Sequence, residues 1–509
     1  YNINSHSNFI LKFNSTKFNP LRLIMALFLR FLLIFASISN LLPQIDAKPR
    51  NVVFILSDDH RFDFMGFTNK LPWLKTPQMD RMALEGAYFD QAYVSTSLCS
   101  PSRASILTGL YAHTHTIVDN QAPNPGNLTY FPEYLQEAGY QTAFFGKWHM
   151  GDESDDPQPG FSHWESFKGQ GVYDGVTLNI NGERVTYDET VYTSDLLTEH
   201  AVEWMEELDP EKPFFVYLSH KAVHSEFKPA SRHAGLYAGA EYELPATYSQ
   251  TKDNAYKELL WPEWVKQQRH SWHGVDFMYH ANGEVGDLVI DYCETLMGVD
   301  DSIGTVMAYL EQRGILDETV VIYMGDNGFS WGEHGLIDKR HFYEESAKVP
   351  LLVRCPDVFE GGKTLHSLVQ NIDIAPTVMD LAGLEKNPIM HGHSFVPILE
   401  GKDIPWRDKV FYEYYWEYDF PMTPSVFGVR TDRYKYIRYQ GIWDRNELYD
   451  LENDPNEMYN LIESPEHQTL IHELAGEIYD WLELTGGMQI PLKRTIKHRW
   501  GDYRHEGQY

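Results

Sequence analysis

The chain has 509 residues and a formal net charge of −31 at pH 7. Its apolar share of 43% and aromatic share of 14% suit a well-packed globular protein and exclude a disordered or fibrous one. The negative charge excludes binding to bulk nucleic acid or to an anionic membrane surface, since both would repel the protein. The length is enough for one large domain with a smaller one beside it.

The first patterned segment is a short basic element followed by an apolar stretch at residues 25–47, which ends in the small residue Ala47. This order is typical of a signal peptide that is cleaved near Ala47. A single membrane anchor is the alternative, but the apolar part is shorter than the roughly 20 residues that cross a bilayer. We therefore predict export without stable membrane insertion. Residues 1–24 are polar and irregular, and we assign them to an uncertain N-terminal extension.

The chain has only three cysteines, Cys99, Cys293 and Cys355. They are too few for a disulfide framework, and their odd number leaves at least one thiol with another purpose. An exported protein with so little cysteine fits a bacterial periplasm or exterior better than a disulfide-rich animal secretion.

Four short apolar runs recur in residues 48–400, which we assign to one catalytic domain; they lie at 51–56, 142–146, 214–219 and 319–325. Continuous apolar runs of this length are typical of strands buried on both faces of a sheet. Helical patterns separate them, as at residues 294–313, where we expect Asp300 and Asp301 to face solvent. The alternation predicts an α/β sandwich with a large, mostly parallel sheet flanked by helices.

The pattern changes after about residue 400. Aromatic, strand-like segments joined by turns are followed by a predicted helix from about Glu466 to Thr485. We therefore predict a C-terminal α+β subdomain at residues 401–509, with a small antiparallel sheet and one helix. The basic tail after Pro491 either covers part of the main domain or is disordered.

Polar residues follow each of the four predicted strands, and the carboxyl ends of parallel strands meet at one edge of a sheet. Asp58 and Asp59 follow the first run, and Asp326 and Asn327 follow the last. Carboxylate and amide oxygens without a thiolate suit Ca²⁺ or Mg²⁺, whereas zinc normally takes more histidine or cysteine. The other two runs end in basic residues, among them Lys147, His149 and His224.

Cys99 stands where a helix is predicted to start, because Pro101 is favoured in the first turn. An anion is stabilised at such a helix start. The spacing Cys99-x-Pro101-x-Arg103 is too short to be decisive alone. Three interpretations of Cys99 remain open at this point: a buried structural thiol, the nucleophile of a Cys–His protease, or a precursor of another group.

Taken together, these segments resemble the type I sulfatases of the alkaline phosphatase-like superfamily. The resemblance covers the chain from about Asn51 to Leu461, and the many matches occur in the order of the family. One departure is Val223, where the family often has a proline. The matching segments are 51–59, 99–103 with 107–109, 146–149, 219–224, 326–327, 332–339, 428–439 and 447–457.

The resemblance implies that Cys99 is converted to formylglycine by a formylglycine-generating enzyme, and that the gem-diol of this aldehyde attacks sulfur. It implies that Arg103 assists the diol, that Lys147 and Lys339 meet the sulfate oxygens, and that His224 and His149 act as acid and base. It also implies one calcium ion, held by Asp58, Asp59, Asp326, Asn327 and residue 99.

The implied function is that of an exported sulfatase acting on a sulfated polysaccharide or oligosaccharide. Residues 221–277 resemble the carbohydrate-directed branches and could line a groove for an anionic sugar, either of an algal polysaccharide such as ulvan or of a glycosaminoglycan. One alternative is a phosphonate or phosphodiester hydrolase of the same superfamily. Another is a non-catalytic binder of sulfated glycans, which would be expected to lack Cys99, Arg103 or His224; none of them is missing.

Overall fold

The computed structural model describes residues 49–151, 154–251, 255–277, 283–418, 420–441, 444–489 and 491. These ranges belong to one compact unit, Pro49–Tyr509. The predicted N-terminal extension, the signal peptide at 25–47 and the tail after Pro491 lie outside the described residues. Within the described ranges, no helix combines the length and apolarity needed to cross a membrane.

Eighteen strands are described, and most of them belong to one large sheet. In chain order they are Asn51–Ser57 (β1), Ala87–Phe89 (β2), Ala92–Tyr93 (β3), Gln141–Lys147 (β4), His163–Phe167 (β5), Thr177–Ile180 (β6), Glu183–Thr186 (β7), Phe214–Ser219 (β8), Thr319–Gly325 (β9), Ser330–Trp331 (β10), Ile337–Asp338 (β11), Leu351–Arg354 (β12), Lys363–Leu365 (β13), Val369–Gln370 (β14), Lys409–Tyr414 (β15), Ser425–Thr431 (β16), Tyr434–Gln440 (β17) and Glu447–Asp450 (β18).

The large sheet has ten strands in the order β13-β2-β12-β9-β1-β8-β4-β5-β6-β7. The five strands from β9 to β5 run parallel to one another. In the centre of the sheet, Val53 of β1 lies between Val216 of β8 and Val321 of β9. This parallel arrangement brings the carboxyl ends of the four predicted strands to one edge.

Helices cover both faces of the large sheet. In chain order the described helices are Pro77–Glu85 (α1), Cys99–Thr108 (α2), Ala112–His115 (α3), Phe131–Glu137 (α4), Thr193–Glu206 (α5), Glu263–Arg269 (α6), Val285–Gln312 (α7), Glu344–Ala347 (α8), Ile374–Leu381 (α9), Val396–Leu399 (α10) and Gln468–Thr485 (α11).

Strand β1 is apolar throughout because both of its faces are buried. Val53 and Ile55 pack into a core formed with α1, α5 and α7, whereas Phe54 packs into a second core formed with α2, α4 and α9. A strand between two helical layers has no face on which polar residues can meet water, so its run of apolar residues is unbroken. The predicted α/β sandwich with a large, mostly parallel sheet is confirmed.

The predicted exposure of Asp300 is wrong. Helix α7 begins at Val285, earlier than the predicted residue 294, and Asp300 on it is completely buried. Its carboxylate accepts hydrogen bonds from the backbone N–H groups of Gln78 (3.1 Å) and Met79 (2.9 Å). Both groups lie in the first turn of α1, where N–H groups have no partner within their own helix. Asp300 therefore caps α1 from a distant helix.

We expect Asp300→Ala to lower the free energy of unfolding by about 2 kcal/mol, because two buried N–H groups lose their acceptor. Asp301→Ala is the matched control, since the Asp301 side chain is 42% exposed and pairs with Arg232 at the surface. Such a pair contributes at most about 1 kcal/mol. Urea denaturation of both variants measures the difference, and equal losses would contradict the capping role.

The small C-terminal sheet is also confirmed: β15 to β18 form an antiparallel meander. Helix α11 packs on one face of it, and the chain after β11 packs on the other. On that second face, Tyr343 donates a 2.8 Å hydrogen bond to Glu447. Lys435 forms buried ion pairs with Glu344 (2.7 Å) and Glu457 (2.8 Å). The boundary near residue 400 stays a prediction.

Candidate active site

The carboxyl ends of β1, β4, β8 and β9 lie side by side. Ser57 at the end of β1 pairs with Gly325 of β9, and Ser219 at the end of β8 pairs with Leu56 and with Gly146 of β4. The candidate residues at or just beyond these ends are all buried: Asp58, Asp59, Lys147, His149, His224, Asp326 and Asn327. The sheet therefore gathers the predicted residues as the strand pattern indicated.

Cys99 is the first residue of α2, as Pro101 predicted. Its Sγ lies 3.5 Å from Asp58 Oδ1, 3.7 Å from Lys147 Nζ and 3.2 Å from Lys339 Nζ. Burial, with a smaller contribution from Asp58, raises the pKa of the thiol to about 12, so the thiol is neutral at pH 7. A Cys–His protease needs a thiolate, and this environment does not provide one.

Arg103 lies one turn further along α2 and connects the ends of four strands, β1, β4, β8 and β9. Its Nε donates to Asp326 Oδ2 (2.9 Å), and its Nη2 lies 3.3 Å from Asp58 Oδ2. Its Nη1 donates to Ser219 Oγ (2.6 Å) and to the Lys147 carbonyl oxygen (2.7 Å). These contacts make Arg103 a support for two carboxylates. Its role toward residue 99 stays a prediction.

Lys147 and Lys339 form buried ion pairs with the two carboxylates that follow β1. The Lys147 ammonium pairs with Asp58, and the Lys339 ammonium pairs with Asp59. Burial alone would lower the pKa of Lys339, but Asp59 and other nearby groups hold it well above its ordinary value. Lys339 is therefore a cation, and both lysines reach Cys99.

The carboxylates of Asp58, Asp59 and Asp326 offer oxygens that lie within 4.8 Å of one another. Burial raises the pKa of Asp59 to about 7 and also raises that of Asp326, and neighbouring carboxylates act in the same direction. Two buried oxygens, Asp59 Oδ2 and Asn327 Oδ1, accept no hydrogen bond from the described residues. A hard divalent cation prefers such oxygen ligands. The predicted metal residues thus fit such a cation.

His224 faces this cluster from the loop after β8. Its Nε2 lies 3.9 Å from Asp59 Oδ2, while its Nδ1 is 2.7 Å from the Ser225 carbonyl oxygen. The loop is fixed to the end of β1, since the Val223 N–H donates to the Asp58 carbonyl oxygen (2.8 Å). Nε2 is therefore the nitrogen that faces the pocket.

His149 is buried just beyond β4 and has a left-handed backbone with φ of 52°. The hydroxyl of Ser100, next to Cys99, donates to the His149 carbonyl oxygen. The backbone of His149 therefore lies against the start of α2. The role of its ring as a base stays a prediction.

Two residues in the loop after β5 contact the cluster without any signal in the sequence. Gln170 accepts a hydrogen bond from Lys147, and the Tyr173 hydroxyl donates to the His224 carbonyl oxygen (2.5 Å). Neither belongs to a motif, and the strand that precedes them, β5, lacks the unbroken apolar run that marked the other strands of the active edge. Their position depends on the path of a loop, which the residue pattern does not give.

The fold combines a large, mostly parallel sheet with a small antiparallel sheet, and the carboxylate cluster lies at the carboxyl ends of the parallel strands. These features define an alkaline phosphatase-like α/β enzyme. A family model described as Sulfatase matches residues 50–384, and one described as N-sulphoglucosamine sulphohydrolase, C-terminal, matches residues 332–483. The chain therefore belongs to the sulfatase family, within its carbohydrate-directed branch, and is a sulfuric ester hydrolase.

Named relatives cover nearly the whole chain. An N-acetylglucosamine-6-O-sulfatase of Bacteroides thetaiotaomicron is 34% identical over 90% of this chain and 90% of its own. The human N-acetylglucosamine-6-sulfatase is 32% identical over 87% of this chain and 86% of its own. A solved structure of BT4656 in complex with its substrate, D-glucosamine-2-N,6-O-disulfate, is 30% identical, has a TM-score of 0.76 and covers 88% of this chain and 100% of its own.

Proposed function

We propose that this enzyme removes 6-O-sulfate groups from glucosamine residues of a sulfated glycan. The names of the relatives and the substrate in the similar solved structure support this position of the sulfate. They favour a glycosaminoglycan over ulvan as the source of the sugar. The pattern at residues 25–47 supports export as the route by which the enzyme meets such a glycan.

The observation that carries this proposal is the placement of two ammonium groups beside residue 99. Lys339 Nζ lies 3.2 Å and Lys147 Nζ 3.7 Å from Cys99 Sγ. A sulfate ester with its sulfur against residue 99 would have its oxygens beside both cations. There the cations stabilise the negative charge that grows on these oxygens in the transition state.

The proposed metal is Ca²⁺, bound by Asp58, Asp59, Asp326, Asn327 and residue 99. The three carboxylates balance the three cations Arg103, Lys147 and Lys339. A bound divalent cation supplies a surplus of positive charge that draws an anionic ester into a chain with a net charge of −31. An all-oxygen protein set of this kind favours calcium over zinc.

Formylglycine at position 99 would supply the nucleophile that the neutral, buried thiol does not. Because Cys99 has no exposed surface in the folded protein, we propose that the formylglycine-generating enzyme acts on the unfolded chain. His224 is then placed to donate its Nε2 proton to the departing sugar oxygen. His149 is the proposed base. A positioned acid or base of this kind contributes typically ~10²–10⁴-fold.

The test uses the full chain co-expressed with a formylglycine-generating enzyme. We expect kcat/KM for N-acetylglucosamine 6-sulfate to exceed that for its 3-sulfate isomer, and that for glucosamine N-sulfate, by ~10²-fold or more. An aryl phosphodiester and a phosphonate monoester are assayed beside them. Preference for either of these would overturn the sulfatase assignment of the pocket, and preference for another sulfated position would overturn the proposed substrate.

A further inference from the structure

Lys221 is a buried cation that the proposed chemistry does not use. It lies in the loop after β8, and only 5% of its surface is exposed. Its ammonium donates a 3.0 Å hydrogen bond to the Ser225 carbonyl oxygen and lies 4.8 Å from the centre of the Tyr173 ring. Among the described residues, no carboxylate forms an ion pair with it. Burial of a cation without an ion-pair partner is costly, so its presence here calls for a physical reason.

The Ser225 carbonyl oxygen joins Lys221 to His224. It accepts one hydrogen bond from Lys221 Nζ (3.0 Å) and one from His224 Nδ1 (2.7 Å). A carbonyl oxygen has two lone pairs, so both bonds form together. Tyr173 adds a third contact, because its hydroxyl donates to the His224 carbonyl oxygen (2.5 Å). His224 is thus held through its backbone and Nδ1, and Nε2 is left for the pocket.

We propose that Lys221 is a positioning residue, which fixes the Ser225 carbonyl so that His224 keeps a proton on Nδ1 and directs Nε2 at the departing oxygen. The inference rests on the proposed role of His224 as general acid. When the ester S–O bond breaks, its electron pair stays on the sugar oxygen, which takes the Nε2 proton. The imidazole is then neutral, with its remaining proton on Nδ1 and bonded to Ser225. Without Lys221, the carbonyl loses the contact that fixes its direction.

The test is Lys221→Met, which removes the ammonium and keeps an unbranched apolar side chain. We expect kcat on N-acetylglucosamine 6-sulfate to fall by ~10²-fold, since a sugar alkoxide needs a proton in order to leave. On 4-nitrophenyl sulfate, whose phenolate leaves without a proton, the change should stay below about 3-fold. KM should change little on either substrate. Lys221→Arg should restore part of the lost rate, because it can donate to the same carbonyl oxygen.

Lys228→Met is the matched control. Lys228 lies in the same loop, its side chain is 63% exposed and it pairs with Asp174, so its removal should leave both rates unchanged. An equal loss on both substrates in Lys221→Met, or a loss that falls mainly on KM, would overturn the inference, because it would indicate a general structural role or a direct contact with sulfate.

His224→Ala separates this inference from the proposed function. If His224→Ala shows the same dependence on the leaving group and Lys221→Met does not, the positioning role fails and the acid role stands. If His224→Ala loses equal rate on both substrates, the acid role itself fails.

Nitrogen NMR of the imidazole, assigned by subtraction of the His224→Ala spectrum, gives a readout that needs no turnover. The acid form carries a proton on both nitrogens, so the tautomer is measured at a pH at which the imidazole is neutral. There Lys221→Met should convert a single Nδ1–H tautomer into a mixture, and an unchanged tautomer would overturn the inference.

Discussion

Cys99→Ser should lower steady-state turnover by ~10³-fold or more and leave the fold intact. Serine keeps an oxygen nucleophile at the start of α2, between the Lys147 and Lys339 ammonium groups. It has only one hydroxyl, however, so a sulfo group transferred to it has no second hydroxyl to expel it. We therefore expect one sulfo group per chain after a single turnover, which intact-mass spectrometry measures directly.

The control for this variant is Cys355→Ser. Cys355 is also buried, and its thiol lies 3.7 Å from the Asp317 carbonyl oxygen, to which a serine hydroxyl can donate as well. The turnover of Cys355→Ser should match that of the enzyme without substitutions. Sustained turnover by Cys99→Ser, or an unmodified Cys99 peptide in fully active enzyme, would contradict the formylglycine proposal.

Removal of the bound metal by a chelator should lower turnover by ~10³-fold, because a metal ion contributes several kcal/mol of charge stabilisation at such a site. It should also lower Tm. A ligand present at 100 times its Kd stabilises the fold by about 2.7 kcal/mol, which corresponds to a few degrees for a chain of this length. Calorimetry and a sulfate-release assay on the same samples measure both effects.

Asp326→Asn provides the matched variant, since it keeps the shape of the side chain and removes one of the three clustered charges. It should weaken calcium binding while the Arg103 Nε–H still has an oxygen acceptor. Restoration of the chelated enzyme by Ca²⁺ supports the proposed metal. Restoration by Zn²⁺ alone, or full activity after chelation, would contradict it.

The sequence allowed prediction of the active edge because parallel strands buried on both faces have a simple signature. An unbroken apolar run such as 51–56 marks the strand, and the first polar residues after it mark the edge, which located Asp58 and Asp59. The family resemblance then supplied the remaining candidates, Lys339 among them. It could do so because it rests on the order of many short segments rather than on one.

The wrong prediction for Asp300 and the contacts that the sequence did not indicate share one physical cause, the tertiary path of the chain. Asp300 has the sequence context of a solvated face on an amphipathic helix, and only the tertiary structure shows that α1 begins against it. Gln170, Tyr173 and the Lys221 contact to Ser225 depend on the paths of loops. Side-chain patterns report which face of a strand or helix is buried, but they do not report where a loop passes.

The hydrogen bond between Tyr343 and Glu447 of the small sheet has a consequence for the timing of maturation. Tyr343, shortly after Lys339 in the chain, is bound to Glu447 on β18, so the segment that carries Lys339 gains this anchor only when β18 has been synthesised. Cys99 is synthesised long before β18 and is completely enclosed in the finished enzyme. On the maturation route proposed above, the interval between these two events is the period in which Cys99 is open to a modifying enzyme. A chain cut short before β18 would lack this anchor for the segment that carries Lys339.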